Sequence, residues 1–224
     1  MESMLPTKLI IFDCDGVLVD SEPLAALAYT RVYAKHGLPI TIDLITQCVG
    51  MKQTDIIARI GEVTGHFLPE NAASELWPEI RHLFSERLGA TNGLKDFLGR
   101  LNLSRCVASS SSPERIEFSL DVTGLSRYFG RSVFSSSMVK RGKPAPDVFL
   151  LAAEKMGVKP ENCTVIEDSP LGVEGAVAAG MTAVGYIGGG HTYPDHSSRL
   201  SAAGASSVCR EWAEIELHLL RSQN

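Results

Sequence analysis

Short apolar runs alternating with amphipathic helical patterns restrict this chain more than any other feature. Strand-like runs lie at 8–12, 106–108, 133–134, 164–166 and 183–186. Between them, helical spacing recurs at 113–122 (Ile116 and Leu120 four apart), 147–156 (Phe149, Leu150, Ala153) and 171–179. Strand and helix in alternation predict a parallel α/β sheet with helices on both faces. In such sheets the ligand crevice lies beyond the carboxyl ends of the strands, so chemistry is expected in the residues directly after each run.

Residues 20 to about 89 break the alternation. Leu24, Leu27, Ala28 and Val32 share one helical face, Ile56, Ile57, Ile60 and Val63 a second, and Leu76, Ile80, Leu83 and Phe84 a third, with no strand between them. Gly37 and Gly50 read as helix stops, and Pro78 marks either a first turn or a kink. The expected organisation is therefore an α/β core of residues 1–19 and 90–224, interrupted by a helical insertion, 20–89.

A chain of 224 residues is long enough for this, and 44% hydrophobic against 21% charged residues leaves both a core and a polar surface. The net charge of −5, with no local cluster of lysine or arginine, argues against a nucleic-acid partner. The apolar run at Leu9 is cut by Asp13 and Asp15, far short of the roughly 20 residues of a membrane span, so neither a leader nor an anchor is expected. Five scattered cysteines without a CxxC pattern fit reduced thiols in the cytoplasm. No heptad or apolar stripe specifies an oligomer.

The strand ends are rich in oxygen ligands. The first run ends in Asp13-Cys14-Asp15-Gly16, the run at 106–108 in Ser109, and the run at 164–166 in Glu167-Asp168. Four carboxylates at one sheet edge repel one another unless a hard divalent cation sits among them, and Mg²⁺ suits an all-oxygen site. Lys143, before Pro144, adds a fixed positive charge, while the serines from Ser109 lead into Pro113, where helix N–H groups face an anion. Together these describe a phosphate site in which one carboxylate attacks phosphorus and a neighbour two residues on, pointing the same way along a strand-like backbone, moves protons. Singly, each has an ordinary explanation: a solvated turn for Asp-x-Asp, a surface lysine for Lys143, a helix cap for Glu167-Asp168. For the serines, Ser112 is the better cap, which leaves Ser109 to the anion. Their joint order is what those explanations miss. His191, after Gly188-Gly189-Gly190, reads more readily as a surface loop histidine than as part of the site, and His196 and His218 show no partner pattern. Trp77 and Trp212 read as packing anchors.

The stretch Phe12-Asp13-Cys14-Asp15-Gly16-Val17-Leu18-Val19-Asp20-Ser21-Glu22 resembles the first motif of the haloacid dehalogenase-like hydrolase superfamily, in its β-phosphoglucomutase-like branch with a helical cap. Ser109, Lys143 in Lys-Pro-Ala-Pro-Asp, and Glu167-Asp168-Ser169 with Gly172 follow in the same order, and the likeness covers nearly the whole chain. The resemblance implies a Rossmann-like core and a phosphatase with Asp13 as nucleophile and Asp15 as general acid/base. Ser109, Ser110 and Lys143 would hold the phosphoryl group. Mg²⁺ would be bound by Asp13, the Asp15 carbonyl, Asp168 and, directly or through water, Glu167.

The alternatives are a phosphohexomutase of the β-phosphoglucomutase type and an inactive phosphometabolite-binding protein. The inactive reading is disfavoured because Asp13 and Lys143 are both present, and a dehalogenase because Asp15 is. Mutase relatives carry an arginine after a cap-loop glycine and a histidine on the first cap helix, whereas this chain has Gln53 after Gly50 and Ala25. Lys52 and Arg59 could replace that arginine. The expectation is a phosphatase acting on a small sugar phosphate or sugar-acid phosphate, with Gly50, Lys52 and Gln53 near the substrate.

Overall fold

The computed structural model describes residues 6–48 and 50–221. In chain order, β1 (Leu9–Phe12) is followed by α1 (Glu22–Lys35), α2 (Ile42–Thr46), α3 (Gln53–Thr64) and α4 (Leu76–Arg87). Then come α5 (Leu94–Arg100), β2 (Ser104–Ser109), α6 (Pro113–Val122), α7 (Ser126–Phe129), β3 (Val133–Ser135) and α8 (Asp147–Met156). The last part holds β4 (Cys163–Glu167), α9 (Pro170–Ala178), β5 (Thr182–Tyr186), α10 (His196–Ala202), β6 (Ser207–Cys209) and α11 (Trp212–Arg221).

The six strands form one parallel sheet in the order β3-β2-β1-β4-β5-β6. β1 lies between β2 and β4, and its four residues are fully buried because both faces are covered. Successive side chains alternate. Ile10 and Phe12 join a cluster with Phe97, Ile116, Trp212 and Ile215, while Leu9 and Ile11 join one with Val148, Phe149, Val173 and Leu200. Strand order reverses at β1/β4, which puts the switch-point crevice directly above Asp13 and Asp168. β6 extends the series that the sequence reading ended at 183–186. It is only three residues long and partly exposed at the sheet edge, and carries no continuous apolar run.

The helices of 20–89 build a separate apolar cluster. Leu24, Ala28 and Val32 of α1 meet Ile80, Leu83 and Phe84 of α4. The expected face of α3 is narrower than its periodicity implied: Ile60 is buried, Ile56 and Ile57 are half-buried, and Val63 is 51% exposed. α3 is the outer helix, with one flank covered. Pro78 falls in the first turn of α4, where its missing N–H has no carbonyl to serve, and α4 carries on beyond it. Gly50 stops no helix; it lies in the loop between α2 and α3. α2 itself, five residues capped by the Thr41 hydroxyl, was not foreseen because it is too short to show a period.

Candidate active site

Strand β1 ends at Phe12, and the Asp13 N–H still continues the ladder to the Ile166 carbonyl at 3.0 Å. The chain then turns sharply. The N–H groups of Leu18 and Val19 both reach the Cys14 carbonyl, and Asp15 bridges to Val19, so the backbone after Asp13 is a closed turn rather than the extended stretch expected from sequence. Gly16 makes this turn possible. It has φ +77, and a Cβ there would fall 1.9 Å from Asp168 Oδ2. Asp13 and Asp15 nevertheless line one cavity of ≈ 40 Å³ together with Ser109, Ser110, Lys143 and Asp168.

Lys143 Nζ donates to Asp13 Oδ1 at 2.5 Å, to the Ala108 carbonyl at 3.1 Å and to Glu167 Oε1. Glu167 is fully buried at the end of β4, and its other oxygen accepts from the Ser169 N–H and hydroxyl at 3.2 and 3.0 Å. Burial pushes the Asp13 carboxyl well above the usual carboxylate range; Lys143 pulls against this, while Glu167, Asp168 and Asp15 add to the rise. Glu167 is raised for the same first reason, burial, with Lys143 opposing and Asp168 adding. Burial opposes the charge on Lys143, yet Asp13 and Glu167 hold its ammonium above the ordinary lysine value.

The carboxylates of Asp13, Glu167 and Asp168 each place an oxygen within 4.8 Å of the others, and all three are buried. The three buried acids face Lys143 and, at Asp168, His191, and their oxygen-only donors fit a hard divalent cation. Asp168 Oδ2 is buried and makes no well-aligned hydrogen bond among the described residues; its near neighbour is His191 Nε2 at 2.9 Å, an ion pair when the imidazole is protonated. The Asp15 side chain does not join this group. Its Oδ1 accepts from Ser21 Oγ at 2.7 Å and Arg115 Nη2 at 2.8 Å, and its Oδ2 accepts from Ser111 Oγ at 2.6 Å. Burial opposes its ionisation, but Arg115 and the hydroxyls of Ser111 and Ser21 outweigh burial and lower its pKa.

Ser109, at the end of β2, is buried and its hydroxyl accepts from the Ser111 N–H at 3.1 Å. Ser112 caps α6 by accepting from the Arg115 N–H, as its place before Pro113 predicts. On the opposite wall, Gly50 presses its Cα against Ser169, where a Cβ would lie 2.8 Å from Ser169 Oγ. Lys52 and Gln53 do not join it. The end of the Lys52 side chain lies over Gly142, and Gln53 Nε2 reaches the Ala73 carbonyl at 3.5 Å on the exposed side. Arg59 is exposed and pairs with Glu62 at 3.6 Å. Met51 and Ile56 line the cavity beside Gly50, whereas Gln53, at the start of α3, points outward.

His191 is buried, 7% exposed, with Nε2 2.9 Å from Asp168 Oδ2, which corrects its reading as a surface residue. The Gly188–Gly190 run folds back over the sheet edge, pinned by the Gly190 N–H on Asp20 Oδ1 at 2.8 Å. Burial disfavours the imidazolium, but Asp168, Glu22 and Asp20 raise its pKa to about 9. His196 is also buried, with Nε2 2.5 Å from the Asp168 carbonyl and its ring stacked on Tyr193. Arg115, Glu22 and Tyr29, which also line the cavity, were missed. Arg115 left one readable sign: a cation in the first turn of a helix opposes the helix dipole and needs a compensating acid. Glu22 stands inside the motif itself, two residues before Leu24 opens the buried face of α1.

A phosphate-sized cavity at a sheet switch point, floored by an acid cluster and a buried lysine, defines a hydrolase built for phosphoryl transfer. The chain belongs to the haloacid dehalogenase-like hydrolase family, whose profile matches residues 7–180. It is 34% identical over 207 residues to a phosphorylated carbohydrates phosphatase of Thermotoga maritima, with 90% of this chain and 94% of the relative covered. It is 30% identical to the 6-phosphogluconate phosphatase of Escherichia coli (84% and 86% covered) and 35% identical to that organism's fructose-1-phosphate phosphatase (78% and 94%). Among solved structures, a conserved haloacid dehalogenase-like protein of unknown function from Agrobacterium tumefaciens superposes with a TM-score of 0.85 at 34% identity, covering 97% of this chain and 100% of the other. A putative β-phosphoglucomutase of Thermotoga maritima gives 0.76 at 31% identity, covering 95% and 99%.

Proposed function

We propose that this phosphoric monoester hydrolase releases phosphate from a small phosphorylated carbohydrate, with Mg²⁺ bound and an aspartyl-phosphate on Asp13 as the intermediate. The observation that carries this reading is the convergence of Asp13, Asp15, Ser109, Lys143 and Asp168 on one cavity with Glu167 beneath it. The related phosphatases of phosphorylated carbohydrates and of fructose 1-phosphate support the substrate class.

Asp13 Oδ attacks phosphorus while Lys143, the Ser109 hydroxyl and the Ser110 backbone hold the equatorial oxygens. Asp13, Glu167, Asp168 and the Asp15 carbonyl would hold Mg²⁺, which supplies charge neutralisation and in-line orientation. Asp15 gives its proton to the leaving alkoxide. It then takes a proton from the water that attacks phosphorus and restores the Asp13 carboxylate. A phosphate dianion beside Asp15 opposes the influence of Arg115 and favours the protonated form that this step requires.

Residues 20–89 act as a cap over a core of 1–19 and 90–224. A cavity of ≈ 40 Å³ holds only a few waters, so a sugar phosphate enters when the cap helices move off the sheet edge and is sealed from water when they return. Among the described residues no helix is long and apolar enough to cross a membrane. Phosphohexomutase chemistry is disfavoured because the two cap positions that mutase relatives use are occupied by buried Ala25 and outward-facing Gln53.

The test is phosphate release from a panel of sugar phosphates, sugar-acid phosphates and phosphoglycolate, with Mg²⁺ or chelator, beside Asp13→Ala and a β-glucose 1-phosphate isomerisation assay. Metal-dependent release that disappears in the variant is expected. Release that survives Asp13→Ala, or isomerisation without net release, overturns the reading.

A further inference from the structure

The cavity has two ends with different electrostatic needs. At the phosphate end Lys143 is bound by Asp13 and Glu167, and a divalent cation held by the acid cluster would complete the balance for the dianion. The other end, where a leaving group must lie, is lined by Asp15, Glu22, Arg115 and Tyr29 with apolar Ala25 and Ile45. Lys143 and Arg115 are the lysine and arginine side chains lining this cavity among the described residues. Arg115 is already committed. Its Nη2 holds Asp15 at 2.8 Å, and its guanidinium lies 5.3 Å from the centre of the Phe84 ring on α4. Glu22 is a second acid lining this end, so two carboxyls stand there beside Arg115, and the nearby His191 is held by Asp168 at 2.9 Å, which leaves no uncommitted lysine, arginine or histidine in the described lining to meet a second anion. Lys52 and Arg59 do not change that count, since one lies over Gly142 and the other is on the outer face.

A buried carboxyl exchanges hydrogen bonds with sugar hydroxyls, and once ionised it repels a second anion in a cavity too small to hydrate either. We propose that the cavity selects monoesters whose leaving group is an uncharged polyol or sugar over those bearing a second anionic group, with Glu22 as the specificity-determining residue. This rests on the phosphatase reading above and narrows it: sugar-acid phosphates and bisphosphates fall outside the preferred class. A reaction that phosphorylates neutral sugars or reduces them to polyol phosphates is the class that would supply such a substrate.

The matched pair for the test is glucitol 6-phosphate and 6-phosphogluconate, which share a six-carbon skeleton and differ at C1 in CH₂OH against carboxylate. With Mg²⁺ and wild-type protein, kcat/KM for glucitol 6-phosphate should exceed that for 6-phosphogluconate by about tenfold or more, mostly through KM, as expected when one unpaired charge must enter a dry site. Glu22→Gln should shrink that ratio at least threefold by lowering KM for the acid. If either ester turns over too slowly, its inhibition constant against p-nitrophenyl phosphate hydrolysis gives the same comparison. Equal or better use of 6-phosphogluconate by the wild type, or an unchanged ratio in Glu22→Gln, overturns the selectivity while p-nitrophenyl phosphate turnover leaves the phosphatase reading standing. Absence of turnover on every ester, p-nitrophenyl phosphate included, overturns both.

Discussion

The two walls of the cavity are made differently. The core wall is a set of strand ends: Asp13 after β1, Ser109 ending β2, Glu167 and Asp168 at β4, each fixed by a parallel ladder and backed by apolar clusters. The cap wall is made of helix faces and a loop, with Glu22, Ala25 and Tyr29 from α1, Ile45 from α2 and Gly50 between α2 and α3. A strand end can be displaced only by breaking the sheet, whereas a helix face can be changed residue by residue without moving its neighbours. Under the proposed function, chemistry is held by the rigid wall and selection by the adaptable one.

The largest effect should come from the rigid wall. Asp13→Asn is expected to lower turnover by on the order of 10⁴-fold or more, with an unchanged or higher melting temperature, because it removes one of three crowded buried acids. Comparable activity in that variant would mean that the core wall does not carry the chemistry. Lys143→Met should cost about 10³-fold in rate and about 3–5 kcal/mol in urea-measured stability, since Asp13 and Glu167 then lose their buried counter-charge. Part of that stability should return with added Mg²⁺, and no metal-dependent recovery would count against the acid cluster as the cation site.

The cap wall should respond through packing rather than rate. Ile60→Ala, at a fully buried position, is expected to cost about 2–4 kcal/mol, while Val63→Ala should stay within about 0.5 kcal/mol. Equal costs would mean that both belong to one buried face after all. Glu22 gives the most specific effect, confined to one pH window. Burial, with Asp15 adding to it, raises its pKa from 4.5 to about 7, so between those values the folded protein binds more protons than the unfolded chain. Stability then falls as pH rises through that window and levels off above it, by at most about 3 kcal/mol. Glu22→Gln should flatten the slope in metal-free buffer, and an unaltered slope would place its origin elsewhere.

The rigid wall was the legible one. Asp13, Asp15, Ser109, Lys143, Glu167 and Asp168 sit immediately after apolar runs or beside a proline, where strand periodicity and turn chemistry mark them locally. β6 was lost because three residues with one fully buried side chain carry no periodic signal. Arg115, His191 and His196 act across the fold, reaching Asp15 and Asp168 from 100, 23 and 28 positions away, and nothing in their local sequence names those partners. The first residues of α3 were misplaced for a related reason. Which flank of a short helix faces inward depends on the neighbour that covers it, so Gln53 and the preceding Lys52, placed near the substrate by resemblance to the mutase relatives, lie outside the cavity.

The most direct test of the account is to quench the working enzyme in acid during turnover of a radiolabelled sugar phosphate with Mg²⁺ and to map any label bound to protein. The account predicts acid-stable, base-labile label on the peptide that contains Asp13, lost on a chase with unlabelled substrate and absent from Asp13→Asn. Full turnover with no protein-bound label, or label on another residue, would contradict it.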